Sequence, residues 1–325
     1  MNRLVGLSGV LLRRLVSAFS LLIEASAIIY LTVRMAPGNA VDAITPMGTP
    51  DDIKEQLAID FGLNEGPIAG FFTWLAQVLK GDFGDSLVVA MGSSVTEIAL
   101  PAFWITLKLA GFALLGCMLL ALSMAILMGE PHRKQQIFTA PLYVLTTTPC
   151  FITAVFLIHG INSYVRGYVD MATIDGLDWY ALGQPSDSIV PIFIAGCALI
   201  LSDGLFMDYL NALRAELNKL RSAQFIVAVR ARGASTFPHI ARNLWVPLIS
   251  GYAARLPLVL GGVVIVEQVF GVEGAGYLLV EAAKSRDLPV VVGVSALFTM
   301  TIIAVGFLSN LVKLLADPRE VSHGA

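Results

Sequence analysis

The sequence predicts an all-α integral membrane protein that crosses a bilayer about six times, with both termini on the cytoplasmic side. Hydrophobic residues make up 56% of the chain and charged residues 14%, which leaves too few polar groups to cover a soluble surface. Six apolar stretches, at 15–33, 101–128, 137–160, 189–209, 245–270 and 288–315, are each long enough to supply the roughly 20 helical residues that a span requires. Lysine and arginine then fall in alternate connections, and that asymmetry sets the orientation.

Residues 1–36 form the N-terminal cytoplasmic end and the first span. Arg13 and Arg14 precede an apolar run that is too long for a secretory leader and contains Glu24, so it reads as a retained helix. Residues 37–100 form the largest outer segment, rich in Asp and Glu. Within it, Thr49, Pro50, Asp51 and Asp52 open an amphipathic stretch to about residue 61, and Gly66 and Pro67 open a second to about residue 79. Gly81 to Asp85 then reads as a turn. The segment suits a soluble lid or docking surface equally with a hairpin lying on the membrane, where Phe71, Phe72 and Trp74 would sit at the interface.

Residues 101–315 form a core of five spans, followed by a cytoplasmic tail at 316–325. Arg133 and Lys134 mark one inner connection, and Arg214, Lys219, Arg221, Arg230, Arg232 and Arg242 mark the next. That second connection, 211–243, is too polar to enter the bilayer and too helical in pattern for a plain loop. Leu217, Leu220, Phe225, Ile226 and Val229 recur at helical spacing, and Gly233 follows as a stop. Ser235 or Thr236 can cap a new helix with Pro238 in its first turn, running on into the fifth span. The product is a helix, a glycine turn and a second helix at the cytoplasmic surface. Ala228, Ala231 and Ala234 leave room for a close partner, and Arg230 and Arg232 offer bidentate contacts to carboxylates. The plainer reading is a basic anchor that holds the helix ends inside.

Several function classes are excluded by what these residues can do. A net charge of −3 without a clustered basic face argues against a nucleic-acid partner. Cys117, Cys150 and Cys197 lie in apolar stretches at spacings that fit neither zinc nor redox motifs, and His132, His159, His239 and His323 form no ligand cluster. The sequence has no glycine-rich phosphate loop of the Walker type, so ATP is not held here, and its spans carry no Ser/His pair, paired aspartates or zinc-protease motif. No cofactor is expected in this chain.

Charges inside spans are costly, which makes each a candidate for the translocation pathway. Glu24 and Arg255 lie at similar depth and either pair or line the pathway, while Lys108 and Glu267 lie toward the outer ends of their spans. Asp203 reads as a hydrogen-bonded residue rather than a site. An ion-coupled secondary carrier using these charges is the alternative function, although no inverted repeat is evident and the basic helix–glycine–helix would have no task in it.

The run from Phe225 through Arg230, Ala231, Arg232 and Gly233, followed by His239, Arg242, Asn243 and Pro247, resembles the cytoplasmic coupling loop of bacterial ABC-importer permeases of the dipeptide, oligopeptide and nickel group. Phe225 stands where that group usually has tyrosine, and Arg232 where it has lysine. Further likeness lies at 12–15, 34–39, 61–63, 81–87, 148–151, 264–270 and 315–319, and in Gly274, Gly276, Arg286, Asp287 and Pro289. Glu267 matches a glutamate usual in the group, whereas Arg255 replaces a common glutamine. The string Glu281, Ala282, Ala283 imitates the name often given to the coupling loop, but it falls on the outer side, and the counterpart is Val227, Ala228, Val229 with Gly233.

The resemblance implies a type I ABC importer permease fold in the bacterial inner membrane. It implies coupling to an ATPase through Ala228, Arg230, Ala231, Arg232, Gly233 and Ala234. It also implies a second homologous permease, one or two cytoplasmic ATPases that hold ATP and magnesium, and a periplasmic or lipid-anchored solute-binding protein. Peptide, opine, sugar, metal-chelate and glutathione-like cargoes all stay open.

Overall fold

The computed structural model describes residues 2–35, 41, 45, 48–60, 66–128, 133–169 and 189–316. The motif stretches at 36–39 and 61–63, the acidic connection at 170–187, His132 and the tail beyond 316 lie outside the described residues. Among those described, the structure is helical apart from turns and one isolated bridge between Asp85 and Ser94.

Long apolar windows form continuous helices at four places among the described residues. Helices α1 (Asn2–Met35), α4 (Val95–Met128), α10 (Phe237–Phe270) and α12 (Leu288–Ala316) are of this kind, and each contains a stretch long and apolar enough to cross a membrane. α10 stays one helix through both Pro247 and Pro257. The tolerance of proline expected in a membrane helix holds there.

The outer segment folds as its start signals predict. Asp51 and Asp52 begin α2 (Asp51–Asp60), where two carboxylates complement the helix N-terminus. Pro67 begins α3 (Pro67–Val78), with Gly66 as its N-cap. The turn after α3 places Gly81 and Gly84 at positive φ, and the Gly84 N–H donates to Asp82 Oδ1 at 2.8 Å.

The third and fourth spans depart from the sequence expectation of unbroken helices. α5 (Arg133–Thr146) and α6 (Cys150–Val169) meet at a 93° bend, and α7 (Ile189–Ile200) and α8 (Leu205–Ser222) at a 55° bend. Pro149 has no N–H to continue the first helix. In the second, Asp203 and Gly204 both adopt positive φ, at 53° and 73°, which a right-handed helix cannot absorb. Among the described residues, counting each bent pair as one span gives the expected six.

The chain divides into two compact units, one comprising Met1–Val10, Lys108–Val272 and Ala304–Ala325 and the other Leu11–Leu107 and Glu273–Ile303. In the first, α10 packs against α6, α7 and α8. A β-carbon on Gly262 would come within 2.9 Å of Leu199 Cδ2, so glycine is what lets the backbone of α10 approach α7. The two helix breaks lock together in the same unit. The Asp203 N–H donates to Thr148 O at 3.0 Å, the Gly204 N–H donates to Thr146 O at 2.6 Å, and the Cys150 N–H donates to Asp203 Oδ1 at 3.0 Å. Each break supplies the partners that the other lacks, which is how irregular backbone survives where water is scarce.

The second unit is held by aromatic packing and by one buried carboxylate. Tyr30 lies 5.7 Å from Phe71 and 5.9 Å from Trp74, ring centre to ring centre, over Val292 and Ala296. Phe71 and Trp74 are therefore core residues, and of the three aromatics only Phe72 has the exposure that an interfacial residue needs. α11 (Ala275–Ser285) ends with Arg286 at φ 61°, and Asp287 follows, fully buried. Asp287 Oδ2 accepts from Ser86 Oγ at 2.6 Å, the Val88 N–H at 2.9 Å and the Val89 N–H at 3.0 Å. The Val291 N–H donates to the Asp287 carbonyl, so one residue starts α12 and clamps the outer turn.

Candidate functional site

The connection 211–243 was expected to carry a helix up to Gly233; the structure instead interrupts it at Ala223, whose ψ of 136° is extended. Helix α8 ends there and a separate helix, α9 (Gln224–Ala231), begins. The Ile226 and Val227 N–H groups donate to the Ala223 carbonyl, so the break is also the cap of the new helix. A helix this short is marginal by itself. Ile226 and Val229 are buried and hold α9 against α8.

The end of α9 is closed by a Schellman motif. The Gly233 N–H donates to Arg230 O at 3.0 Å and the Ala234 N–H to Val229 O at 3.2 Å. Gly233 has φ 71°, and this left-handed position is why glycine follows the helix. Next, Pro238 falls in the first turn of α10 as expected, with Thr236 as N-cap, although no side-chain capping bond forms.

All six residues expected to meet a partner are exposed: Ala228, Arg230, Ala231, Arg232, Gly233 and Ala234. They are brought together on one short helix and its turn. The two arginines differ in role. Arg232 Nε donates back to Ala228 O at 3.2 Å, so it completes the helix end and offsets the negative end of the helix dipole. Arg230 is a second exposed cation on the same helix end. Sequence periodicity placed Phe225 at helical spacing with Ile226 and Val229, but Phe225 is 46% exposed and Val227 is 53% exposed. They make the surface apolar as well as basic, a character hidden because each lies one step off Ile226, which is buried.

The intramembrane charges fall in different surroundings. Arg255 stacks on Tyr209, with its Cζ 4.6 Å from the ring centre. Its Nη2 donates to Asp208 O at 2.8 Å and its Nη1 to Gly251 O at 3.2 Å. Lys108 is exposed, and Glu267 is fully buried near the end of α10. Glu24 is exposed on α1 and belongs to the second unit, whereas the other three belong to the first. Asp203 is hydrogen-bonded at the helix breaks, as expected. Glu281 pairs with Lys284 at 2.7 Å on α11, which belongs to the second unit, whereas α9 belongs to the first.

Comparison with known proteins adds the following. Residues 117–321 match the family described as binding-protein-dependent transport system inner membrane component. A probable peptide ABC transporter permease protein of Sinorhizobium fredii is 27% identical over 323 residues, covering 95% of this chain and 98% of that one. An oligopeptide transport system permease protein of Bacillus subtilis is 23% identical, over 95% of this chain and 98% of its own. A putative peptide permease protein of Brucella ovis is 24% identical, over 95% and 97%.

Proposed function

We propose a working cycle on the premise that this chain belongs to the family of binding-protein-dependent transport system inner membrane components, and so is a permease subunit of an ABC importer in the bacterial inner membrane. The cargo is a peptide or a similar small polar solute. The peptide and oligopeptide transport names of relatives that align with 95% of the chain support that reading. The chain works beside a second homologous permease, and a solute-binding protein delivers the cargo to the outer face. One or two cytoplasmic ATPases hold ATP and magnesium, and the permease itself carries out no hydrolysis.

The observation that carries this reading is the exposed face of α9. A short helix that shows Phe225, Val227, Ala228, Arg230 and Ala231 to its surroundings is shaped to enter a groove on another protein, with apolar contacts centred on a cation. Ile226 and Val229 fix α9 on α8, so a displacement of α9 is passed to α8 as a rigid piece. α8 meets α7 at the bend around Asp203 and Gly204, where hydrogen bonds tie the movement to the α5–α6 break. ATP-driven closure of the ATPases thus moves α5 to α8 together and alternates access across the membrane. Glu24, Lys108, Arg255 and Glu267 are the proposed pathway residues.

Reconstitution tests this directly. Proteoliposomes that contain both permeases and the ATPases should take up a labelled oligopeptide only with internal ATP and external binding protein. Uptake by this chain alone, driven by a proton or sodium gradient, would replace the importer reading with the ion-coupled carrier.

A further inference from the structure

Helix α3 carries two apolar faces, and the second compact unit covers one of them. Phe71 and Trp74 are buried against Tyr30 of α1 and Val292 and Ala296 of α12, with Val78 packed beside them. Ile68, Phe72 and Leu79 recur four and seven residues apart, which places them in one stripe along an adjoining side of the helix. They are 69%, 62% and 65% exposed. Gln77 follows Phe72 by five residues, about 140° around a helix of 3.6 residues per turn, so Gln77 and Thr73 form an exposed polar side across from the stripe.

The partners of α3 fix its depth. Tyr30 lies in the apolar window Leu15–Met35 of α1, five residues from its end, a distance of about 7.5 Å along the helix. Val292 and Ala296 lie in the window Leu288–Lys313 of α12. Two spanning helices thus hold α3 level with their own apolar ends, where α1 also exposes Ile28 and Met35. That level matches the roughly 5–10 Å to which interfacial helices sink. Composition agrees: α3 has no Asp, Glu, Lys or Arg in its 12 residues, whereas α2 has Asp51, Asp52, Lys54, Glu55 and Asp60 in 10. Helix α2 suits water, and α3 is apolar yet too short to cross the bilayer.

We propose that α3 is an interfacial helix that rests Ile68, Phe72 and Leu79 in the acyl chains of the bilayer and turns Thr73 and Gln77 to water. Phe71 and Trp74 fasten it to α1 and α12, so protein and lipid hold the same helix from adjoining sides. A polar side across from the stripe favours lipid over another protein as the occupant, because a helix wedged between two sets of spans would be apolar all round. The inference needs only that α1 and α12 span the membrane, and it is independent of the cargo.

The test is site-directed spin labelling of the full-length permease, with the subunits that accompany it, in nanodiscs of phosphatidylethanolamine and phosphatidylglycerol. Phe72→Cys, Leu79→Cys and Gln77→Cys are labelled separately, and the signal from the parent's own cysteines is subtracted. Power saturation then compares collision with oxygen, which concentrates in the bilayer, and with a nickel chelate, which stays in water. Labels at 72 and 79 should favour oxygen and report a depth of about 5–10 Å into the boundary between headgroups and acyl chains, while the label at 77 should favour the chelate. The same preference at all three positions, for either reagent, would overturn the inference. Shielding of 72 and 79 from both reagents would also overturn it, because a second permease or a solute-binding protein would then occupy the face. Should Phe72→Cys fail to assemble, Ile68→Cys reads the same stripe. Transport is no part of the readout, so loss of the importer reading leaves this result standing, and the reverse holds too.

Discussion

At residue 233 the backbone has φ 71°, and at residue 286 it has φ 61°. Both follow short helices closed by the same pair of reversed hydrogen bonds, from 233 and 234 to Arg230 and Val229, and from 286 and 287 to Ala283 and Ala282. The first position is glycine and bears no strain. The second is arginine, which costs about 1–2 kcal/mol in that region. The buried Asp287 that follows gathers three donors from the outer turn, and those bonds offset the strain. Arg255 is a further case in which partners decide role. Its terminal nitrogens rest on main-chain carbonyls, which hold the guanidinium in place without neutralising its charge. As a proposed pathway residue it attracts the carboxylate of an anionic solute. Arg255→Gln should therefore lower uptake of acidic peptides about tenfold more than uptake of neutral ones, measured in parallel in proteoliposomes. Equal uptake of both classes in the variant would reduce Arg255 to a structural residue. Gly233 was legible in the sequence because a helix stop is a local matter. The partners of Asp287 were not, because Ser86 lies 201 positions away and a motif match says nothing about who accepts from whom.

Hydropathy read over a window located all six spans, and the same averaging hid the two bends. In 137–160 the polar run at Thr146, Thr147 and Thr148 is short beside its apolar flanks, and in 189–209 so is Ser202, Asp203 and Gly204. Pro149 was a visible breaker, but nothing local in Asp203 and Gly204 announced that two broken helices would satisfy one another. The helix starts of the outer segment were legible for the opposite reason, since Asp51, Asp52 and Pro67 act on their own first turns. Burial of Phe71 and Trp74 depended on Tyr30 from a distant helix and was not. The joint between the breaks yields a prediction for the α5 to α8 group. Asp203→Ala removes the acceptor for Cys150 N–H and places an alanine at positive φ, and should destabilise the complex by about 2–3 kcal/mol. Asp203→Asn keeps an acceptor and tolerates that backbone, so it should stay close to the parent. Thermal unfolding of the purified complex checks both, and an alanine variant as stable as the asparagine variant would show that the joint carries no load.

Across the whole chain, composition was enough for a membrane class, because it reflects bulk solvation rather than particular contacts, and charge placement adds a proposed sidedness with α9 on the inner side. The proposed coupling surface was half legible. Arginines, alanines and Gly233 were all in view, but the exposed Phe225 and the separation of α9 from α8 required the backbone. Both details strengthen the idea of a handle, since a separate short helix fixed by two buried residues can be gripped without unravelling the span behind it. The most direct measurement is disulfide cross-linking of an Ala231→Cys permease to a cysteine in the groove of its ATPase, in membranes, with and without nucleotide. The account predicts an efficient cross-link from the cytoplasmic side whose yield changes with ATP. An Ala231→Cys residue that reacts only with impermeant reagents from the outer side, or that forms no cross-link to any ATPase in an actively transporting complex, would contradict it.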